Sequence, residues 1–382
     1  MRLPIEEMKD YLEQLRRHRR ALHQIPEIGE EEFKTQAYLL GELELLRPDD
    51  LRVFADTGVR AVFRGNGTGR VLAFRSDIDA LPVTEETGCS YASKHSGCMH
   101  ACGHDGHMAN LLCFAQWLSE HRAELADDVV LLFQPAEETV GGAKRMIDEG
   151  ALENPHVDVI YGMHMMPDIP KGKIACCAGP IMAQTCEMDF VIHGKSAHGA
   201  TPHLGTDAVT AMGHLLTLFQ TTVARCVDPC QQALLTIGKV SAGTQRNILA
   251  EQAQMEGIVR TFSNKVYEGL EARIRADLQG IEAAFGVTIE FIKRVYYPCV
   301  ENDPVEFQRV KEVLGDIYMQ AKPRMTAEDF SYYQLSVPGV FVFCGCKDDD
   351  HQAPLHASTF DFDEEALLPG LALFTQLVQM RS

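Results

Sequence analysis

Short unbroken apolar runs alternate with helix-like periodicities through the first part of the chain. Val59–Phe63, Val71–Arg75, Val129–Phe133 and Val157–Tyr161 are too short for buried helices and too continuous for half-exposed strands. Such runs predict strands covered on both faces. Between them, charge and leucine spacing predict helices over Met8–Arg20, Glu31–Leu46, Met108–Leu118 and Gly142–Glu149, and Gly65-Asn66-Gly67-Thr68-Gly69 predicts a turn between the first two strands. Strands alternating with helices in this way imply an α/β domain, a mostly parallel sheet covered by helices.

The rhythm changes near Gln184. Met188, Phe190 and Ile192 alternate with other residues, as in a strand with one buried face. A helix over Asp207–Arg225, strands over Leu234–Val240 and Glu251–Thr261, a helix over Lys265–Phe285 and a strand over Val287–Val295 complete the order β-α-β-β-α-β. That is the ferredoxin-like order, and it predicts a small α+β domain at 185–296 inserted into a larger one made of 1–184 and 297–382. After Pro298 the first rhythm resumes: helix Pro304–Ala321, strand Val340–Cys344, helix Asp363–Met380.

Composition narrows the partners. A formal net charge of −19 over 382 residues repels phosphate backbones and argues against nucleic acid. No apolar run reaches the length of a membrane span. The opening Met1-Arg2-Leu3-Pro4-Ile5-Glu6-Glu7 lacks the apolar stretch of a secretory signal. Twelve cysteines without framework spacing suit reduced thiols, so a cytoplasmic location is expected.

Chemistry concentrates in Met99-His100-Ala101-Cys102-Gly103-His104-Asp105-Gly106-His107, a thiol, three imidazoles and a carboxylate at a predicted helix start. Four further segments are expected just after strands, where open α/β sheets place their sites: Arg75 to Pro82, Phe133 to Glu138, Tyr161 to His164, and Ala353 to His356. Cys102, His104, Glu138, His164 and His356 are the candidate metal ligands. Five protein groups exceed the three or four that hold one zinc and suit two divalent ions roughly 4 Å apart. Zinc, manganese, nickel and cobalt all accept this donor set. In the pair Glu137-Glu138 one carboxylate can bind metal while the other moves protons.

These motifs, with Gly194-Lys195-Ser196-Ala197-His198 and Ala327-Glu328-Asp329-Phe330, run in order over nearly the whole chain. Together they resemble the amidohydrolase branch of the aminoacylase/carboxypeptidase metallopeptidases, a group that includes hippurate hydrolase and the auxin-conjugate hydrolases. The resemblance implies a bridging Cys102, Glu137 as general acid/base, and Asp79 as a group that orients a ligand. It also implies that the inserted domain is a lid and dimerisation domain. His198 would then reach the partner's active site in a homodimer to stabilise an oxyanion, and Asn247 and Arg260 would hold the substrate's amide and carboxylate. The implied reaction is metal-dependent hydrolysis of N-acyl amino acids, such as N-acetyl or N-benzoyl ones. A dipeptidase or carboxypeptidase using the same site is the alternative. A silent ligand-binding member is disfavoured because Glu137 and all five candidate ligands are present. One departure from the family pattern is Met165-Met166-Pro167, where relatives carry an aromatic residue; if this loop lines the acyl pocket, a flexible thioether surface replaces a ring. Cys176-Cys177 and Cys344-Gly345-Cys346 read as strand and loop thiols without ligand spacing.

Overall fold

The apolar runs of the first domain lie side by side. In the computed structural model, which describes residues 3–67 and 69–380, the strands Asp128–Gln134, Val71–Asp77, Val159–Pro170 and Gly339–Lys347 are adjacent in that order and parallel. Thr68 of the expected turn, and Met1 and Arg2 of the N-terminal stretch, fall outside the described residues. Gly58–Phe63 and Asp50–Phe54 extend one edge antiparallel; Ile174–Cys176 and Tyr318–Gln320 extend the other. The central strands are buried along almost their whole length, which is why their sequences do not alternate.

Register positions the chemistry. Asp77 pairs with Gln134 at the ends of two neighbouring parallel strands, so the loops carrying Asp79 and Glu137-Glu138 leave the sheet at the same edge. Phe74, Phe114 and Phe374 pack their rings 4.7–5.6 Å apart and seat the helix His104–Glu120 on the sheet. Each such aromatic pair contributes about 1 kcal/mol beyond its buried area.

Three expectations need correcting. The strand expected over Val157–Tyr161 runs from Val159 to Pro170, so His164 and the Met165-Met166-Pro167 stretch lie within a strand and not on a loop after it. Its pairing with Val71–Asp77 ends at Arg75 and Gly162, while Gly339–Lys347 accompanies it further, with Phe343 opposite His164. The helix expected over Pro304–Ala321 ends at Leu314 and is followed by a short 3-10 turn, Gly315–Ile317, and the edge strand Tyr318–Gln320. The strand expected to end at Cys344 continues to Lys347, so Cys344 and Cys346 are both buried strand residues.

The chain divides into two compact units. One comprises Met1–Ile181, Glu301–Lys322 and Asp329–Ser382; the other comprises Met182–Val300 and Pro323–Glu328. The boundaries expected at 184/185 and 296/297 thus lie at 181/182 and 300/301, and residues 323–328 join the second unit. That unit has four antiparallel strands in the order Thr288–Tyr297, Gln184–His193, Gln252–Thr261, Ala233–Ala242, with helices Ala208–Cys226 and Asn264–Phe285. Asp207 and Ser263 cap those helices by accepting from the amides of Val209 and Val266. Met188, Phe190 and Ile192 point into its apolar core beside Leu215, Phe219 and Ile274.

Candidate metal centre

The turn that delivers Cys102 and His104 depends on Gly103, which takes φ +87° in the left-handed region and precedes the first helical residue, His104. Backbone bonds fix the turn on both sides. Leu81 and Met99 exchange two amide–carbonyl bonds of 3.0 Å, and the amide of His356 donates to the Ala101 carbonyl at 2.8 Å. Residues far apart in sequence, Asp79, Cys102 and His356, are brought onto one frame.

Among the groups of potential ligand atoms that lie within 4.8 Å of one another are Cys102, His104 and His164, and Cys102, Glu138 and His356. Cys102 belongs to both of these two. Its Sγ lies 3.4 Å from His164 Nε2. Glu138 Oε1 lies 3.9 Å from His104 Nε2 and 3.2 Å from His356 Nε2. Glu137 joins a third group with His104 and Glu138 inside the same 4.8 Å limit. All five candidate ligands and Glu137 are therefore gathered at one place.

The histidines are oriented by their far nitrogens. His104 Nδ1–H donates to the Asp79 carbonyl at 2.9 Å and His164 Nδ1–H to the Met165 carbonyl at 2.8 Å. Both rings consequently direct Nε2 inward. Asp79 also accepts the Glu138 amide at 2.8 Å, so it positions one histidine and one glutamate together.

Beneath these groups lies a buried polar network that the sequence reading did not assign. His107 donates from Nδ1 to Asp77 at 2.6 Å and accepts the Met165 amide on Nε2 at 2.9 Å. It thereby satisfies a strand amide that has left its neighbour at Gly162. Arg75 joins Asp77, Asp329 and Gln134 at 2.8–2.9 Å. Asp329, from the Ala327-Glu328-Asp329-Phe330 motif, further accepts the Ala143 amide at 3.0 Å. On the other side Arg19 binds Asp105, Asp361 and the Phe362 carbonyl, and His23 bridges Asp105 and Glu85. An arginine in an otherwise apolar strand, as Arg75 is, was the sequence signal for such a network, since a buried charge needs paired partners.

The electrostatics fit a cation. Burial lowers the affinity of His104 for a proton, yet Asp77, Asp79 and Glu138 outweigh it and raise the pKa to about 10. Burial, reinforced by Glu138 and Glu137, pushes the Cys102 thiol well above its ordinary range. Burial acts to raise Glu138, but the His356 and His104 imidazoles hold it at about 2. This is a pocket with more negative charge than its imidazoles balance. His104 Nε2 is also buried without a hydrogen-bond partner among the described residues. Thiol, imidazole and carboxylate groups converging on one buried place are what a divalent metal would bind.

The other candidates lie in the second unit. His198 is exposed, and its Nδ1 accepts the Ala200 amide at 3.1 Å. The neighbouring Gly199 amide donates to the Asn247 carbonyl at 2.8 Å, so the structure brings His198 and Asn247 into adjoining loops. Arg260, half-buried on the strand Gln252–Thr261, donates to the Met325 carbonyl.

Comparison with known proteins adds an independent line. The model of peptidase family M20/M25/M40 matches residues 73–380. The N-acetyldiaminopimelate deacetylase of Lacticaseibacillus casei is 39% identical over 373 residues, 95% of this chain and 96% of its own. That of Leuconostoc mesenteroides is 36% identical over 381 residues, 97% of both chains. A Bacillus subtilis protein, described as a dinuclear metal-binding peptidase of the M20 family, superposes with a TM-score of 0.83 at 34% identity, covering 97% of this chain and 99% of that one. A structure from methicillin-resistant Staphylococcus aureus gives a TM-score of 0.93 at 32% identity, with 99% of both chains covered.

Proposed function

The chain belongs to the M20/M25/M40 peptidase family and is a metal-dependent amidohydrolase, and on that premise we propose that it deacylates N-acyl amino acids, N-acetyl ones foremost. The observation that carries the reading is the pair of ligand groups sharing Cys102, with Glu137 beside His104 and Glu138. The relatives above, named for N-acetyldiaminopimelate, support an N-acetyl amino acid with a further charged end as the first substrate to try.

We assign Cys102, His104, Glu138, His164 and His356 as the residues that would hold two divalent ions. Bound there, the ions would supply an activated water and polarise the acyl carbonyl. Glu137 accepts the proton of the attacking water and passes it to the leaving amine. Asp79 keeps His104 and Glu138 in place. His198, whose Nδ1 is already an acceptor, has Nε2–H to offer an oxyanion. Arg260 suits the substrate carboxylate because its planar fork donates two parallel bonds, and Asn247 suits the amide.

We also infer a homodimer through the inserted unit. Ala233–Ala242 is an edge strand of its sheet, largely exposed, and Val240 and Ile248 lie 48% and 43% exposed nearby. An unpaired edge with apolar side chains favours pairing with a second copy. Twelve cysteines, none in a disulfide among the described residues, suit the reducing cytoplasm.

The test is a panel of N-acetyl amino acids, N-acetyldiaminopimelate, hippurate and matched dipeptides, given to chelator-treated and metal-reloaded protein. Metal-dependent release of amino acid from the N-acetyl substrates is expected. Faster turnover of the dipeptides would replace this reading with a dipeptidase.

A further inference from the structure

Glu32 is a fully buried acid whose carboxylate reaches partners far from its own segment. It occupies the N-cap position of the helix Phe33–Leu46, yet its side chain does not cap that helix. Glu27 takes that duty, accepting the amides of Lys34 and Thr35 at 2.9 Å. The Glu32 carboxylate turns away instead. Oε1 accepts the Ala136 amide at 2.9 Å, across 104 residues of sequence, and Oε2 accepts the Thr57 hydroxyl at 2.7 Å.

Ala136 is the residue before Glu137, and it holds φ +58°. A non-glycine residue in the left-handed region costs about 1 kcal/mol and persists only where its surroundings enforce it. Two buried carboxylates enforce this one. Glu32 takes the amide of Ala136, and Asp79 takes the amide of Glu138 at 2.8 Å, so the backbone is gripped on both sides of Glu137. The Glu32 segment also abuts the turn without slack: a Cβ on Gly29 would stand 2.9 Å from Ala136 Cα and 2.3 Å from Thr139 Oγ1.

We propose that Glu32 is a positioning residue, whose hydrogen bond to the Ala136 amide sets the turn that aims the Glu137 proton carrier and the Glu138 ligand. The proposal rests on the roles given to those two glutamates above. It is the reach of the acceptor oxygen that matters: Gln keeps both length and acceptor without the charge, whereas Asp keeps charge and acceptor but is one methylene short.

The experiment compares E32Q, E32D, E32M and T57V in the full-length, metal-loaded protein. Kcat and KM are measured on the best N-acetyl substrate, and the visible absorption of the cobalt-loaded protein is recorded alongside melting temperature. E32D and E32M are expected to lose kcat by about tenfold to a hundredfold, because misplacement by an ångström has that scale of effect. KM should stay within about twofold, and the cobalt spectrum should change. E32Q should keep kcat within about threefold with the wild-type spectrum. T57V, which removes only the other bond of Glu32, should melt lower but keep its kcat. E32M carries the test by itself if E32D does not fold. The proposal is overturned if E32D and E32M keep the wild-type kcat and spectrum while melting lower, which is a purely structural role. Loss in E32Q with retention in E32D, which is a charge role, overturns it as well. A wild-type protein inactive on every amide would refute the functional reading instead, and the cobalt spectra alone would then judge Glu32.

Discussion

The two units of this chain bury opposite things. The first encloses charge: Arg19 and Arg75 are at most 1% exposed, and Asp77, Asp79, Asp105 and Asp329 are fully buried. The second has an ordinary apolar core, and its candidate residues stand at the surface, with His198 and Asn247 exposed and Arg260 half-buried. Buried ion pairs seldom stabilise a fold relative to apolar residues of the same shape. Their density around one cluster of imidazoles and carboxylates therefore reflects what the first unit must hold still. Its groups are fixed before substrate arrives. Those proposed for the second unit stand exposed or half-buried, and the lid role proposed for it would order them on substrate binding.

Mutations can test this contrast. The largest effect belongs to Glu137→Gln, which preserves shape but cannot accept the proton. Turnover should fall by about 10³-fold or more, the range for removing a general base, while elemental analysis finds the metal content unchanged. Near-normal activity would remove Glu137 from its assigned role. Next come His198→Ala and Arg75→Met as a pair. The first should lower kcat by about a hundredfold and leave the melting temperature within about a degree, since exposed positions scarcely affect stability. The second leaves Asp77 and Asp329 without their cation and should cost about 3–5 kcal/mol of stability, read from denaturant unfolding. If His198→Ala destabilises as much as Arg75→Met, the distinction between a rigid half and an adaptable half is lost.

Legibility in the sequence followed the same divide. The α/β alternation and the β-α-β-β-α-β insert were readable because apolar runs and periodicities are local. Among the candidate ligands, Cys102 and His104 stood out because they share one short Cys/His run, and Glu138 because it is adjacent to a second glutamate after an apolar run. What escaped were properties set by partners elsewhere. The Val157–Tyr161 run looked complete at Tyr161, since nothing in Gly162-Met163-His164 shows that a neighbouring strand keeps it extended to Pro170. The helix from Pro304 kept its periodicity past Leu314, and only Gly315 marked the stop. Glu32 resembled one more solvated acid in Glu30-Glu31-Glu32, because its partner is a backbone amide beyond residue 130. A side chain's long-range acceptor role leaves no periodic trace.

The smallest predicted effect asks what the first unit gives up to keep such an acid. Burial, assisted by the charge of Asp79 and opposed by the Thr57 hydrogen bond, raises Glu32 to about 7 from an ordinary 4.5. Between those values the folded protein holds a proton that the unfolded chain has released, so stability falls as pH rises. The contribution is whole below about pH 4.5 and is gone once pH passes about 7, amounting to at most about 3 kcal/mol. Gln at this position has no proton to lose and keeps the bond to Ala136. Unfolding free energies of wild type and Glu32→Gln, measured from pH 5 to pH 8 and subtracted, cancel the titration of every group the two share. The difference should favour the variant increasingly with pH and level off above about pH 8. A flat difference would mean that Glu32 ionises as readily inside the protein as outside, and the first unit would then accommodate this buried acid at no cost to its stability.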